Sequence, residues 1–386
     1  MFDPGDPEFL ADPYPAFARL RATGEVHWHE GLGLAVAVSH AAASAVLRHR
    51  DLGRIWTDAS PAERFTSFNL LHRNSLLENE PPEHTRLRRS IAGAFARGHV
   101  ERLRPRVAEL ARDLVDELAG RIDADGSADL LEHLAQPLPV AVIAELLEVP
   151  EADRASLVPW SNAIVKMYEY GLPLEGQLAA EQAAAEFAGY LRELAANTRE
   201  GLLADLADAG LGPDEVVATG VLLLMAGHEA TVNVLGNGVH ALLGQPAQWR
   251  RLVGDRALLE PAVEELIRYD SPLQLFERTA TADVDIAGYR VAAGTKIGAL
   301  LGAAARDPAV FAEPDTLDIG RAPNQHLGFG AGIHYCVGAP LARIEVAAAL
   351  GALADRLPGL SAAGAPERRP EFVIRGLRTL PVGSAG

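Results

Sequence analysis

Apolar residues recur at spacings of three and four through most of residues 82–244, for example at Val107, Leu110 and Leu114. This spacing places apolar side chains on one face of an α-helix. Alanine, leucine, glutamate and arginine, which favour helices, dominate the same region. The pattern predicts a mainly helical region whose longest helix covers residues 214–243.

Strand-like patterns occupy a much smaller part of the chain. Residues 26–38 form two short apolar runs on either side of Gly31-Leu32-Gly33, which predicts a hairpin, and residues 55–79 predict a long loop or broken helix. The remaining predicted elements are helices over 14–23, 246–270 and 341–356 and strands over 284–286, 290–291 and 296–300. These patterns predict one mainly α domain with a small β portion, covering residues 1–386.

The charge and the cysteine content exclude several classes of protein. The 386 residues include 35 Lys and Arg against 52 Asp and Glu, and the net charge of −17 argues against a general nucleic-acid binder. A single cysteine excludes an intramolecular disulfide and favours a reducing compartment. The acidic N-terminus does not match a signal peptide, and the longest apolar stretch, 216–227, is about half of the roughly 20 residues of a membrane span. We therefore expect a cytoplasmic protein without a membrane anchor.

The single cysteine, Cys336, stands in a glycine-rich segment with Gly330, Gly332 and Gly338, and Pro340 suits the first turn of the helix that follows. Glycines let the backbone pass close to a bulky group. Backbone N–H groups and a helix N-terminus stabilise an anion, so the thiol is expected to ionise. The segment therefore suits a nucleophile or a soft metal ligand, while a buried inert cysteine remains an alternative.

The same segment resembles the haem-binding loop of the cytochrome P450 superfamily. Every signature position of that loop is matched by Phe329-Gly-x-Gly-x-His334-x-Cys336-x-Gly338-x-x-Leu341-Ala342-Arg343-x-Glu345. The resemblance extends over essentially the whole chain and is closest to the soluble bacterial class. It implies the cytochrome P450 fold, with Cys336 as the thiolate ligand of the iron of haem b and with Phe329 and Gly330 against the haem.

Two further sets of residues acquire roles through this resemblance. Haem carries two propionates, and the resemblance implies that basic side chains bind them; His84 and Arg88 share one face of a predicted helix. The propionate set is His84, Arg88, Arg278 and His334. The second set, Glu265, Arg268 and Arg321, is implied to brace the haem pocket.

The middle of the predicted helix 214–243 carries polar residues within an apolar stretch. A carboxylate such as Glu229 is costly in a buried helix, although a helix edge reaching water is an alternative. In the family, this acid precedes a threonine that serves dioxygen binding and proton relay. Here that position is Ala230, and Thr231 lies one residue later, about 100° round the helix. Glu229, Ala230 and Thr231 form the candidate catalytic group, with proton delivery expected through Thr231 and water or through a hydroxyl of the substrate.

The substrate pocket is expected to be mainly apolar and aromatic, which suits a hydrophobic substrate of moderate size. For each candidate residue, core packing is the alternative. The candidates are Trp56, Phe65, Phe68, Ile164, Met167, Leu222, Met225, Gln274, Leu275 and Phe276.

The resemblance implies a haem-thiolate monooxygenase that inserts oxygen from O2 into a small molecule, or couples it oxidatively, in secondary metabolism. No flavin or iron–sulfur domain follows in the sequence, so electrons are expected from a separate ferredoxin and ferredoxin reductase. An acidic ferredoxin is expected to dock near Arg86, Arg89 and Arg343.

Two alternatives keep the haem fold. A peroxide-driven peroxygenase would need no electron partners, but that branch commonly replaces the acid that Glu229 retains. A catalytically silent partner scaffold would tend to lose the cysteine, which is present as Cys336. His27 and His29 share one strand face and could bind a metal, but a third ligand is missing from the pattern.

Overall fold

The structure is a computed structural model that describes residues 1–384, with only the backbone described at position 97. The chain folds into two compact units. Unit 1 comprises Met1–Leu52, Arg104–Leu138 and Ala230–Gly386, of which residues 385 and 386 lie outside the described part. Unit 2 comprises Gly53–Leu103 and Pro139–Glu229.

Helices dominate the described residues, as predicted. They are α1 (Pro7–Ala11), α2 (Tyr14–Arg21), α3 (His40–Arg48), α4 (Thr66–Arg73), α5 (Glu83–Ala92), α6 (Arg97–Asp125), α7 (Pro137–Leu146), α8 (Arg154–Val165), α9 (Leu174–Asn197), α10 (Gly201–Asp208), α11 (Pro213–Leu243), α12 (Pro246–Gly254), α13 (Leu259–Tyr269), α14 (Leu301–Ala304) and α15 (Ala339–Arg356).

The strands are short. They are β1 (Val26–His29), β2 (Leu34–Ala37), β3 (Leu52–Gly53), β4 (Ala128–Asp129), β5 (Leu275–Ala280), β6 (Val284–Ile286), β7 (Tyr289–Val291), β8 (Lys296–Leu300), β9 (Leu360–Ala362), β10 (Glu367–Arg368), β11 (Leu377–Thr379) and β12 (Pro381–Ser384). The prediction of a mainly α fold with a small β portion is confirmed.

The largest sheet of the described chain has the strand order β1-β2-β8-β5-β3. The predicted hairpin is present, with β1 and β2 antiparallel, and β2 then pairs in parallel with β8 so that Ala35 lies opposite Ile297. Apolar side chains from β2, β8 and α3 form a buried cluster in unit 1 that includes Ala37, Val46 and Ile297. This cluster supports the strand β5, which carries Arg278.

Two predicted elements differ from the structure. The single helix expected over 246–270 is two helices, α12 and α13, because the side chain of Asp255 accepts a hydrogen bond from the Ala257 N–H and starts a new turn. Strand β5 was not predicted. Its arginine, Arg278, is only 2% exposed, so the strand lacks the apolar and polar alternation that marks a half-buried strand.

Helix α11 is apolar over a longer part of its length than the stretch of consecutive apolar residues, 216–227, indicated. Over an 18-residue window it is long and apolar enough for a membrane span, but 72% of that window is buried inside the protein. A core helix has these properties too, so the observation indicates core packing.

Candidate functional site

The segment around Cys336 forms a tight loop that leads into α15. The Cys336 N–H donates to the carbonyl of Phe329 at 2.9 Å, and the Gly330 N–H donates to the carbonyl of Leu327 at 2.8 Å. Helix α15 begins at Ala339, and the thiol of Cys336 is exposed. The loop therefore presents an accessible sulfur near a helix N-terminus, where a thiolate is stabilised.

Glycine is required at two positions of this loop. Gly330 and Gly332 both have a φ of 71°, in the left-handed region that favours glycine. At Gly332 a Cβ atom would lie 2.6 Å from the carbonyl oxygen of Leu47 in α3, which is too close for any side chain. These two residues allow the loop to turn sharply against α3 while Cys336 stays exposed.

The predicted propionate ligands divide between the two units. His84 and Arg88 lie in unit 2, on one face of α5, and the His84 side chain is buried. Arg278 and His334 lie in unit 1, on β5 and in the cysteine loop. The guanidinium of Arg278 is buried beside the ring of Phe276, with 5.0 Å from the guanidinium carbon to the ring centroid.

These donors fit haem. An accessible thiol in a glycine loop suits a bond to iron, and a buried guanidinium suits a carboxylate such as a propionate, because burial of a cation is costly without anionic or carbonyl partners.

The structure brings Glu265, Arg268 and Arg321 together in unit 1. The Arg268 guanidinium donates to both Glu265 oxygens, at 2.7 and 2.8 Å, and Arg321 Nε lies 3.1 and 3.2 Å from the same two oxygens. Arg268 also donates to the carbonyls of Ala305 and Pro314. Glu265 and Arg268 are fully buried, so this network fixes the chain that precedes the cysteine loop.

One face in the middle of α11 is accessible, although most of the helix is buried. Ala226 is exposed and Gly227 and Ala230 are partly exposed, while Leu224 and Val232 are buried. Residues 226 and 230 are one turn apart and therefore share a face. Small side chains on an accessible face leave room for a ligand beside the helix.

The polar residues of α11 point to different partners. Glu229 is buried, and its Oε2 lies 3.9 Å from Nε2 of His228, whose Nδ1 is hydrogen-bonded to the carbonyl of Leu224. Thr231 is hydrogen-bonded to the carboxyl group of Glu345 on α15, within unit 1. Burial raises the pKa of Glu345 well above its ordinary value, and the hydrogen bond from Thr231 offsets this in part.

The sequence analysis missed the partner of Thr231. Glu345 belongs to the cysteine-loop signature, and a glutamate within the largely apolar helix α15 was the available signal. Helical periodicity assigns a side chain to a face but does not identify its partner in a distant element.

Two of the aromatic substrate candidates of unit 2, Trp56 and Phe68, pack against the ring of His72. Trp56 stacks on His72 with 4.6 Å between ring centroids, and Phe68 lies 3.9 Å from His72 by the same measure. Phe65, Ile164, Leu222 and Met225 are buried, whereas Trp56 and Met167 are partly exposed. Burial favours core packing for the buried candidates, and partial exposure makes Trp56 and Met167 the better candidates for substrate contact.

The candidates on β5 and just before it differ in the same way. Gln274 is buried, and its Nε2 donates to the carbonyl of Ser271 at 2.7 Å. A Cβ atom added at Gly302 would lie 1.9 Å from Oε1 of Gln274. Leu275 is buried, and Phe276 is partly exposed. Phe276, beside Arg278, is therefore the better placed of the three for contact with a ligand.

Two of the arginines expected to receive an acidic ferredoxin are ion-paired. Arg86 binds Glu83 at 2.7 Å and also binds Glu215, and Arg343 binds Glu264 at 2.6 Å. Arg89 is exposed. The positive charge available for docking is therefore smaller than the arginine count suggests.

Two further features, a cavity in unit 2 and the histidine pair of β1, do not include the predicted haem and substrate residues. A cavity of about 300 Å³ in unit 2 is lined by Thr66, Asn69, Arg73, Asp214 and neighbouring residues, and contains none of the predicted site residues. Within the described residues, no group of three or more His, Cys, Asp and Glu side chains is placed to hold a metal ion. His27 and His29 instead bond to backbone carbonyls, including those of Leu20 and Phe2.

The comparisons with known proteins agree with the motif. The family model for cytochrome P450 matches residues 191–357. The chain is 40% identical to cytochrome P450 monooxygenase PikC of Streptomyces venezuelae, over 97% of this chain and 92% of that protein. It is also 40% identical to mycinamicin IV hydroxylase/epoxidase of Micromonospora griseorubida, over 80% of each protein.

A solved structure gives the same result at the level of the fold. The crystal structure of P450BioI in complex with a hexadec-9Z-enoic acid-ligated acyl carrier protein superposes with a TM-score of 0.93 and 32% sequence identity, over 98% of this chain and 100% of that chain. The chain belongs to the cytochrome P450 family. It is a haem-dependent P450 monooxygenase, an oxidoreductase of a family that generally uses O2, a small substrate and redox partners.

Proposed function

We propose that this P450 oxygenates a hydrophobic natural product in bacterial secondary metabolism, with Cys336 as the thiolate ligand of haem iron. The loop geometry carries the ligand assignment: an accessible sulfur, two left-handed glycines and a helix start meet at Cys336. The relatives support the substrate class, since one of them is named for its action on mycinamicin IV. The partly exposed aromatic residues Trp56 and Phe276 suit an apolar substrate.

Haem supplies the binding and activation of dioxygen when it is bound. Cys336 would bind the haem iron, the basic side chains of His84, Arg88, Arg278 and His334 would bind the propionates, and Phe329 and Gly330 would contact the group. The Glu265 network keeps the segment before the cysteine loop in place. The open face of α11, at Ala226 and Ala230, leaves room for dioxygen and substrate.

Proton delivery in this proposal depends on three residues of the chain. Ala230 has no group that can donate a hydrogen bond, so Glu229 and the Thr231–Glu345 pair hold and move protons instead, with water or a substrate hydroxyl completing the path. Glu345 suits this task because burial raises the pKa of its carboxyl group well above the ordinary value, and Thr231 holds the carboxyl group by a hydrogen bond.

The electron source in this proposal is a separate ferredoxin with its reductase, in the cytoplasm. Arg89 is exposed, whereas Arg86 and Arg343 are held in ion pairs, so Arg89 is the first candidate of the expected docking set for contact with an acidic ferredoxin. Turnover with peroxide alone would instead favour the peroxygenase alternative, and a ferrous–CO spectrum without the thiolate-type band would favour the silent scaffold.

The test uses the purified full chain with haem. We expect a ferrous–CO Soret band typical of thiolate ligation, its loss in Cys336→Ser, and a Soret shift on addition of mycinamicin IV. Hexadec-9Z-enoic acid is the comparison ligand, and a shift with the fatty acid alone would contradict the natural-product assignment. A wild-type protein that binds haem without a thiolate-type band would contradict the role of Cys336.

A further inference from the structure

Glu264 connects α13 to both sides of the cysteine loop within unit 1. Its Oε1 accepts a hydrogen bond from Arg343 Nε at 2.6 Å, and its Oε2 accepts one from Arg343 Nη2 at 3.0 Å. Oε2 also lies 3.1 Å from Nε2 of His326. Residues 264 and 265 are neighbours, about 100° apart round the helix. Helix α13 therefore directs Glu265 into the buried brace and Glu264 towards Arg343.

Arg343 in turn contacts both ends of the loop that carries Cys336. Its guanidinium carbon lies 4.4 Å from the centroid of the Phe329 ring, and its Nη1 is 3.4 Å from the Tyr335 hydroxyl. Phe329 provides the carbonyl that accepts the Cys336 N–H, and Tyr335 is the residue before Cys336. A guanidinium held over an aromatic face restrains the ring by a cation–π contact.

The pair also balances charge beside the loop. Burial alone would raise the pKa of Glu264, but hydrogen bonds from His326 and Arg343 outweigh it and lower this pKa to about 2. Glu264 and Arg343 are therefore both ionised at neutral pH, and their charges cancel close to the residue that bonds the Cys336 backbone. Removal of either partner leaves an unbalanced charge at this place.

We propose that Glu264 is a positioning residue for the Cys336 thiolate, acting through Arg343 and Phe329. The ion pair fixes Phe329, whose carbonyl holds the Cys336 backbone, and it neutralises Arg343 next to the ligand loop. This inference rests on the proposed function, in which Cys336 binds the haem iron. It gives Arg343 a task inside the protein that is separate from docking an electron donor.

The electrostatic part of the proposal predicts effects of opposite sign. Reduction of the iron adds an electron, which an unbalanced cation favours and an unbalanced anion opposes. In the haem-loaded enzyme, Glu264→Gln should therefore raise the midpoint reduction potential and Arg343→Gln should lower it. The double variant should return the potential towards the wild-type value. Glu260→Gln, an exposed glutamate one turn earlier on α13, is the matched control and should leave the potential unchanged.

The effect of these variants on the position of the Cys336 thiolate is measured in the ferrous–CO spectrum of the haem-loaded enzyme. Both single variants and the double variant should lose part of the thiolate-type band, because Phe329 is no longer fixed in each of them. Arg343→Lys keeps the charge but not the planar contact with Phe329, so it should keep the potential and still lose part of the band.

Failure of the inference can be told apart from failure of the proposed function. A wild-type protein without the thiolate-type band would overturn the proposed function and this inference with it. A wild-type protein with that band, together with potentials that move in the same direction in both single variants or do not differ from Glu260→Gln, would overturn the inference alone. Should Glu264→Gln fail to fold, Arg343→Gln and Arg343→Lys still decide the question.

Discussion

The hydroxyl of Thr231 on α11 is hydrogen-bonded to the carboxyl group of Glu345 on α15, and both side chains are buried. The two residues join α11 to α15, the helix that starts at the cysteine loop. Because burial raises the pKa of Glu345, this carboxyl group carries a proton under conditions in which an exposed glutamate would have lost it.

Glu345→Gln should separate stability from proton delivery. A glutamine has nearly the shape and hydrogen-bonding capacity of a protonated glutamate, so the free energy of unfolding should change by less than about 1 kcal/mol. It cannot exchange a proton, so product formed per electron consumed should fall by about tenfold with a larger solvent isotope effect. The measurement is coupled turnover with ferredoxin and reductase beside urea unfolding. Unchanged coupling in Glu345→Gln would show that the Thr231–Glu345 pair is structural only.

Ala230→Thr restores the threonine that the family keeps at this position. If a substrate hydroxyl completes the proton path, the added side chain should crowd the open face of α11 and lower turnover on the native substrate. Ala226→Thr adds the same bulk to the same face one turn earlier, and it is the matched control for crowding without a hydroxyl at position 230. A gain in turnover and coupling of about tenfold or more in Ala230→Thr would remove the case for substrate assistance.

Glu265→Gln should be strongly destabilising. It removes the carboxylate that binds the two guanidinium groups of Arg268 and Arg321 and leaves the fully buried Arg268 without its anionic partner. Breaking a buried ion pair from one side typically costs about 3 to 5 kcal/mol. Urea unfolding of the haem-loaded protein measures this cost. The exposed control Glu260→Gln should stay within about 0.5 kcal/mol of the wild type, and an equally small effect in Glu265→Gln would contradict the assignment of a brace.

The sequence motif located the cysteine loop because its requirements are local. A φ of 71° at Gly330 and Gly332, a cysteine and a helix start all follow one another in the chain. The pairs Thr231–Glu345 and Glu264–Arg343 were not predictable in this way, since each joins two helices that are distant in sequence. Periodicity assigned these residues to helices, but partner choice depends on how the helices pack.

Substrate contact was not predictable from composition for a similar reason. Phe65 and Phe68 match the composition of an apolar pocket, and both are buried in the structure, with Phe68 against the ring of Trp56. The resemblance implied a role for Arg278 as a propionate ligand. Its strand, β5, was not predicted, because a buried arginine interrupts the pattern of apolar residues that indicates a strand. A buried basic residue such as Arg278, which is proposed to bind a haem propionate, thus breaks the local pattern on which secondary-structure prediction depends.

The acid stability of the protein should depend on Glu264. Its pKa is about 2 in the folded protein and 4.5 in its ordinary state, so ionised Glu264 stabilises the fold above pH 4.5. This contribution is lost as the pH falls from 4.5 towards 2, because the unfolded chain then binds a proton that the folded protein does not. Since the side chain is partly exposed, we expect a contribution of about 1 to 2 kcal/mol after screening by solvent. Urea unfolding of the wild type and of Glu264→Gln from pH 7 to pH 3 measures it: the wild type should be the more stable at pH 7, and the difference should shrink as the pH falls below 4.5. A difference that stays constant over this range would mean that Glu264 contributes through packing and not through its charge.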